Sequence, residues 1–210
     1  NPAQNDAAAQ EAAAAHDVSG NPAAHTPGMP IVAVIGDGQL ARMMHTAAIE
    51  LGISLRLLAG TRDASAAQVT SDVFLGDYTN LNDLRHTVTG ADVMTFDHEH
   101  VPTEFLHTLI AEGVNVQPHP DALQYAQDKL MMRQAVEDLG LPNPRWARVE
   151  TLDELLAFGD EIGWPVVLKT PRGGYDGKGV MVLDSLQHAR EQAAAWFDEL
   201  PHRTDFSALL

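Results

Sequence analysis

The chain has 210 residues and a formal net charge of −16, from 29 acidic and 13 basic residues. This negative excess disfavours non-specific binding to nucleic acid or anionic lipid, and the absence of cysteine excludes disulfides, thiol catalysis and cysteine zinc sites. No apolar run is long enough to cross a membrane and no secretory signal is recognisable, so we expect a soluble protein.

Residues 1–28 are rich in alanine, proline and polar residues, and they contain no aromatic residue and no apolar face. This composition predicts a disordered tail. Because Met29 opens the first predicted strand, it is the candidate natural start of the protein.

From Met29 onward, strands and helices alternate, which predicts a doubly wound parallel α/β sheet. The predicted elements are strand 31–35, helix 39–51, strand 53–58, strand 73–75, helix 80–89, strand 93–96, helix 102–112 and strand 114–116. We expect this Rossmann-like domain to cover residues 29–120.

The pattern changes near Pro118, and a second domain is predicted over residues 121–210. Its predicted elements are helix 121–139, strand 146–149, a helix started by a capping box at 151–154, a buried strand 164–170, strand 180–183, helix 185–200 and the opening of a strand at 206–210. Because this last strand lacks partners, we expect the protein to be truncated at Leu210.

Glycine is concentrated around two of the three lysines. Lys169 ends an apolar strand, and Lys178 lies in the run Arg172–Gly179. Glycines let successive backbone N–H groups turn toward one centre, and such a nest binds anions. A strand follows this loop, unlike a Walker A loop, so we predict a hairpin that folds over phosphates. An ordinary glycine-rich hairpin with a solvated lysine is the alternative.

A second glycine turn follows the first strand. Residues Gly36–Ala41 have the spacing Gly-x-Gly-x-x-Ala between a strand and a helix, which suits a phosphate monoester at a helix N-terminus. The same spacing matches a dinucleotide fingerprint, in which Arg62 would meet an NADP phosphate.

A polar cluster, Thr95–Val101, follows the fourth strand at the edge where ligands of open α/β sheets bind. In an extended segment, Asp97 and Glu99 would share one face while His98 and His100 share the other. Substrate contact, a self-supporting polar loop and a two-histidine metal site are the possible interpretations.

Four ordered motifs together resemble the 5-(carboxyamino)imidazole ribonucleotide synthase family of ATP-grasp ligases. They are Gly36–Met43, Thr95–Pro102, Gln127–Lys129, and Lys169 with Gly173–Gly179. The resemblance implies a Rossmann-like pre-ATP-grasp domain followed by the first part of an ATP-grasp domain. It also implies that ATP phosphorylates bicarbonate to carboxyphosphate, whose carboxyl carbon is captured by the amine of aminoimidazole ribonucleotide in de novo purine biosynthesis.

The resemblance further implies which residues act. Residues Gly174–Val180 would form a flap over the ATP phosphates, with Tyr175, Asp176 and Lys178 as catalytic residues. Gly38, Gln39 and Leu40 would receive the ribonucleotide phosphate, and Glu99 would lie near its imidazole. The implied ATP-binding residues are Lys129, Lys169, Gly174, Tyr175, Asp176, Gly177, Lys178, Gly179 and Val180.

By the same resemblance, Mg²⁺ would bridge the phosphates, but its ligands and the adenine-contacting hinge would lie beyond Leu210. We therefore expect no metal ligand within the chain, weak ATP binding and no turnover by the chain alone. The full-length protein is expected to be a cytoplasmic homodimer without nucleic-acid or membrane partners.

Four positions, Asp37, Ala41, Lys129 and Val180, carry residues that are less frequent in the family, but none removes a cation or a required turn. Alternatives within the superfamily are formate-dependent glycinamide ribonucleotide transformylase and biotin carboxylase, and the segment Thr95–Val101 favours the imidazole enzyme. Alternatives of another class are an NADP-dependent oxidoreductase and a non-catalytic binding module.

Overall fold

The computed structural model describes residues 20–174 and 177–210. The chain divides into two units, one ending at Leu123 and one running from Gln124 to Leu210. None of the helices in these described ranges combines the length and apolar composition that a membrane crossing requires.

The first unit is built on a parallel sheet with strand order β3-β2-β1-β4. Its strands are β1 Val32–Ile35, β2 Leu55–Ala59, β3 Asp72–Leu75 and β4 Val93–Phe96. Its helices are α1 Gln39–Glu50, α2 Leu81–Val88 and α3 Thr103–Ala111, and α4 Pro120–Gln127 spans the division between the units. The predicted parallel α/β sheet is confirmed.

Two apolar cores cover the two faces of this sheet, because successive side chains of a strand point to opposite faces. Val34 of β1 packs in one core with Ala41 of α1. Ile35 packs in the other with Leu84 of α2 and Leu106 of α3. The helices cover the two faces of the sheet and leave the edge at the carboxyl ends of the strands open. Because β1 and β4 are parallel, the turn after β1 and the segment after β4 both lie at this edge.

The predicted strand 114–116 is reduced to a single bridge between Val116 and Met94 of β4. The backbone N–H of Gln117 still donates to the Met94 carbonyl, at 2.8 Å. Pro118 follows and has no N–H to donate, so the ladder ends there.

The second unit contains an antiparallel hairpin flanked by helices. Its elements are α5 Lys129–Asp138, α6 Leu152–Ile162, β5 Val166–Lys169, β6 Val180–Leu183, α7 Leu186–Gln192 and α8 Ala194–Glu199. The predicted strand at 206–210 is present only as Leu209, which bridges Val149, and Leu210, which exchanges two backbone hydrogen bonds with Lys169. The capping box that starts α6 at Thr151 is confirmed.

Four predictions in the second unit were wrong in detail. The predicted strand 146–149 is reduced to the bridge at Val149. The single helix 121–139 is two helices, because Asp128 has an extended backbone and caps α5. The helix 185–200 divides at Ala193 into α7 and α8. Strand β5 is buried on one face only, since Val167 is 46% exposed while Val166 and Leu168 are buried.

Residues 20–28, assigned above to a disordered tail, contact the sheet instead. Pro22–Ala24 form a short 3-10 helix. The Asn21 N–H donates to Asp72 Oδ1 at 2.6 Å, and His25 Nε2 lies 2.5 Å from Asp72 Oδ2. Arg56, the Cα partner of Asp72 in the sheet, donates its Nε–H to the same Oδ2 at 2.8 Å. Composition did not predict this contact, because the contact depends on one side chain. Asp72 is fully buried and needs hydrogen-bond donors, which the tail supplies. The rest of the predicted tail, residues 1–19, lies outside the described residues.

Asp72, Arg56, His25 and the Asn21 amide are called the Asp72 cluster below. Burial disfavours the ionised carboxylate, but the hydrogen bonds from Arg56, His25 and Asn21 outweigh it, so the pKa of Asp72 lies below its ordinary value. The Asp72 cluster therefore contains a buried negative charge that forms an ion pair with Arg56.

Candidate functional site

The turn between β1 and α1 is fixed by the carboxylate of Asp97. Gly36 has a φ of 130°, and a Cβ there would lie 1.7 Å from Asp97 Oδ1, so only glycine fits. Asp97 Oδ2 accepts the Ala41 N–H at 3.0 Å. The Asp37 side chain anchors the same turn from the other side by accepting the Gly60 N–H at 2.8 Å. The predicted helix start after this glycine turn is confirmed, and two aspartates hold the turn in place.

The three residues predicted to receive a ribonucleotide phosphate begin helix α1. Gly38 is the N-cap and makes no side-chain capping bond, and Gly38, Gln39 and Leu40 are all exposed. The first N–H groups of a helix and the positive end of its dipole favour an anion. Of these N–H groups, that of Ala41 is already bound by Asp97, and the phosphate role of Gly38–Leu40 stays a prediction.

The segment after β4 forms a bend and a turn rather than the predicted extended conformation. The backbone N–H of His100 donates to His98 Nδ1 at 3.1 Å, which leaves the proton of a neutral His98 ring on Nε2. Glu99 Oε1 lies 3.9 Å from His100 Nε2, so Glu99 and His100 do not take opposite faces. The turn brings Glu99 toward the histidine pair.

His98 of this segment lies against two other rings and is partly buried. Its ring packs edge-on against Tyr78, with ring centroids 4.8 Å apart, and lies 5.5 Å from the His100 ring. Burial lowers the pKa of His98 more than the nearby Asp97 carboxylate raises it. A neutral imidazole is thus held beside Glu99. Across the described ranges, no group of three or more His, Asp or Glu side chains is arranged to hold a metal ion.

The glycine loop of the second unit joins β5 to β6, whose register pairs Lys169 with Val180. The Thr170 N–H donates to the Gly179 carbonyl at 2.9 Å and closes the loop. Gly179 has a φ of 66°, and a Cβ there would lie 2.3 Å from Thr170 Oγ1. A Cβ on Gly174 would lie 2.6 Å from the Lys178 carbonyl. Glycine is therefore required for this closed loop.

The predicted hairpin of strand, glycine loop and strand is thus present, with Lys169 at the end of β5 and Lys178 in the loop. Gly177 also has a positive φ, of 79°, and Lys178 is exposed. Two of the implied catalytic residues, Tyr175 and Asp176, lie outside the described residues.

All three lysines lie in the second unit. Lys129 begins α5, and both its backbone N–H and its Nζ donate to the Pro171 carbonyl, at 3.0 and 3.4 Å. Lys169 is half-buried at the end of β5. Considering only residues 20–174 and 177–210, no carboxylate lies within salt-bridge distance of any lysine. These cations are therefore not neutralised by the described carboxylates, as expected of groups that bind an anionic ligand.

The contact between Asp128 and Arg172 was not predicted from the sequence. Asp128 Oδ1 accepts the N–H groups of Leu130 and Met131, at 3.0 and 3.2 Å, and Oδ2 accepts Arg172 Nε–H at 2.9 Å. An aspartate just before a lysine-led helix is an N-cap signal. The prediction of one continuous helix over 121–139 concealed it.

Two family models match the chain. Residues 29–127 match the ribonucleotide synthetase preATP-grasp domain, and residues 134–201 match the ATP-grasp domain. Together the matched ranges contain the first glycine turn, the segment after β4 and the lysine-bearing hairpin.

Several individual relatives and solved structures carry the name of one enzyme. The N5-carboxyaminoimidazole ribonucleotide synthase of Corynebacterium ammoniagenes is 63% identical over 161 residues, which are 77% of this chain and 39% of the relative. The crystal structure of an N5-carboxyaminoimidazole ribonucleotide synthetase as its ADP complex has a TM-score of 0.71 and 32% identity, covering 81% of this chain and 46% of that one. The ATP complex of the Aspergillus clavatus synthase has a TM-score of 0.68 and 28% identity, covering 78% and 43%.

The chain spans about two fifths of the length of the curated relatives it matches. The matches favour the predicted ligase over the oxidoreductase that the first glycine turn alone allowed. The chain belongs to the N5-carboxyaminoimidazole ribonucleotide synthase family, also called 5-(carboxyamino)imidazole ribonucleotide synthase, and contains its preATP-grasp domain and the first part of its ATP-grasp domain.

Proposed function

We propose that these residues serve the ATP-dependent carboxylation of 5-aminoimidazole ribonucleotide by bicarbonate. The observation that carries the proposal is the glycine loop of the second unit, which is accompanied by three lysines without described carboxylate partners. Such cations near a closed backbone loop suit a polyphosphate. The ATP and ADP complexes of the two solved relatives support the same ligand.

The reaction has two steps. Bicarbonate oxygen attacks the γ-phosphorus of ATP, which releases ADP and forms carboxyphosphate. The exocyclic amine of the ribonucleotide then attacks the carboxyl carbon, phosphate leaves, and the amine loses a proton to give the carbamate. Mg²⁺ would neutralise charge on the ATP phosphates during the first step.

In this proposal, Lys129 and Lys169 contact the phosphates of ATP. Lys178 and the backbone of the flap, Gly174–Val180, cover them, and Tyr175, Asp176 and Lys178 face bicarbonate and the ribonucleotide. The support for the lysines is their lack of described ion pairs, and for the flap the glycine geometry at 174 and 179. The roles of Tyr175 and Asp176 rest on the family alone.

The first unit would bind the ribonucleotide. The exposed start of α1, Gly38–Leu40, would receive its phosphate, because helix N-termini bind phosphate through backbone N–H groups. Glu99 would lie near the imidazole, beside the neutral ring of His98. A cytoplasmic homodimer without nucleic-acid or membrane partners belongs to the same proposal.

The test uses the 210-residue chain for binding and a chimera for turnover. Calorimetric titration with Mg–ATP should detect binding, weakened about tenfold or more in Lys169→Ala, since a hydrogen bond to a charged group is worth about 1.5–3 kcal/mol. Arg145→Ala is the matched control, because Arg145 is an exposed cation of the same unit that pairs with Glu161.

For turnover, residues 29–210 replace the matching part of the Corynebacterium ammoniagenes relative. ADP release should require both bicarbonate and the ribonucleotide and should collapse with Lys169→Ala. Failure of the chain to bind Mg–ATP, together with a folded chimera that releases no ADP, would refute the proposal.

A further inference from the structure

The start of α5 is tied to the start of the glycine loop by two adjacent contacts. Asp128 accepts Arg172 Nε–H at 2.9 Å, and the next residue, Lys129, donates twice to the carbonyl of Pro171. Two consecutive residues at the start of α5, Asp128 and Lys129, thus contact two consecutive residues at the start of the loop, Pro171 and Arg172. All four residues belong to the second unit.

The two carboxylate oxygens of Asp128 have separate partners. Oδ1 caps α5, whereas Oδ2 faces the guanidinium of Arg172. The Asp128 side chain is 14% exposed, and that of Arg172 is 43% exposed. Because the oxygens differ in function, a substitution can remove the ion pair while keeping the helix cap.

Arg172 differs from the three lysines nearby. Its charge is neutralised by Asp128, whereas no described carboxylate pairs with a lysine. An arginine already paired with a carboxylate is suited to holding backbone segments together, while the unpaired lysines remain suited to an anionic ligand.

We propose that Asp128 and Arg172 are positioning residues that hold Lys129 and the first residues of the glycine loop, Arg172–Gly174, in one arrangement for nucleotide binding, without touching the nucleotide themselves. The proposal rests on the proposed ATP site and assigns a function to a pair outside it. A lysine on a flexible stem loses conformational entropy when it meets a phosphate. A preformed link between α5 and the loop lowers that loss, which strengthens binding.

The experiment compares Asp128→Asn, Arg172→Ala and the double variant in the 210-residue chain. Asparagine caps helices as well as aspartate does, so Asp128→Asn should keep the α5 cap and should lower the urea midpoint no more than the loss of one partly exposed ion pair does. The control is Arg203→Ala, because Arg203 is 42% exposed, forms an ion pair with Asp205 and lies in the same unit.

Two quantities are measured. Amide hydrogen exchange of Thr170 and of residues 173, 174 and 177–179 reports on loop order, and titration reports the Kd for Mg–ATP. Each single variant should raise both the exchange rate and the Kd by about two- to fivefold, as expected for a partly exposed ion pair. The double variant should be no worse than either single variant, since both remove the same interaction.

Unchanged loop exchange, additive effects in the double variant, or equal effects in Arg203→Ala would overturn the inference. Normal ATP binding in both single variants despite faster exchange would also overturn it. If the unsubstituted chain and the chimera both failed with Mg–ATP, the proposed function would fall and this positioning role with it, whereas failure in the variants alone leaves the proposed function intact.

Discussion

Replacing Asp72 by asparagine removes the buried negative charge from the Asp72 cluster with almost no change in volume. Oδ2 accepts from both Arg56 and His25, and Oδ1 accepts from the Asn21 N–H. One of the two oxygens becomes an NH₂ group in the variant. That donor must then face either Asn21 N–H or the Arg56 and His25 nitrogens, so at least one contact becomes repulsive.

The expected loss of stability is large because the partner charge stays buried. The side chain of Arg56 is 8% exposed and that of Asp72 is fully buried. Removing one member of a buried ion pair costs about 3–5 kcal/mol of the free energy of unfolding. Since a domain has only about 5–15 kcal/mol in total, the first unit should lose a large fraction of its stability.

Urea unfolding is measured here by amide hydrogen exchange in peptides from β1 and β2. These peptides report on the first unit directly, whereas the tryptophans, Trp146, Trp164 and Trp196, all lie in the second unit. With a slope of about 1–3 kcal/mol per M of urea, the midpoint of the first unit should fall by at least about 1 M.

The control is Glu112→Gln in the same unit, which removes the exposed ion pair between Glu112 and Arg85. A surface pair contributes little, so its midpoint should stay near that of the unsubstituted chain. An Asp72→Asn midpoint that moves no further than this control would show that the buried charge does not hold the sheet.

Three further predictions concern acid, the glycine loop and a helix cap. The folded pKa of Asp72 lies below its unfolded value of about 3.9, so its contribution to the free energy of unfolding is present above about pH 4 and is lost as the pH falls through the folded pKa. Urea unfolding measured across this pH range should show a smaller acid-induced loss of stability in Asp72→Asn than in the unsubstituted chain. Gly179→Ala should destabilise the second unit by more than about 1–2 kcal/mol, because it adds a clash with Thr170 to the strain of a positive φ, as measured by tryptophan fluorescence in urea. Gly173→Ala is its control, having a φ of 70° but open space, and an equal cost in both would contradict the clash. Thr151→Ala should cost about 1 kcal/mol through loss of the α6 capping box, whereas exposed Thr204→Ala should cost nothing measurable in the same assay.

Local patterns predicted most of the fold. Strands β1 and β4 lie within one residue of their predicted bounds, because each is a short apolar run that ends at a change of composition, Gly36 after β1 and Asp97 after β4. The α6 cap needed only Thr151 and Glu154, four positions of chain. Such features are set by neighbours and are therefore visible in the sequence.

Contacts between distant residues were not predictable in this way. Arg56 and Asp72 are 16 residues apart and meet only because β2 and β3 pair in one register. Likewise, the helical pattern breaks at Asp128. This residue caps α5 and pairs with Arg172, which lies 44 residues away. Of the candidate site, the sequence therefore indicated the lysines and glycines but not the pair that connects them.

The contact of residues 20–28 with the sheet of the first unit also affects how separate molecules associate. Strand β3 is the last strand of its sheet, so one side of its backbone has no strand partner there. Gly20 lies so close that a Cβ on it would be 2.1 Å from the ring of Phe74, and Asn21 bonds the neighbouring Asp72. Open sheet edges recruit strands from other molecules. Removing residues 20–28 would expose the Asp72 and Phe74 side chains of this edge strand, so a chain shortened to begin at Met29 should self-associate as its concentration rises, whereas the 210-residue chain should not.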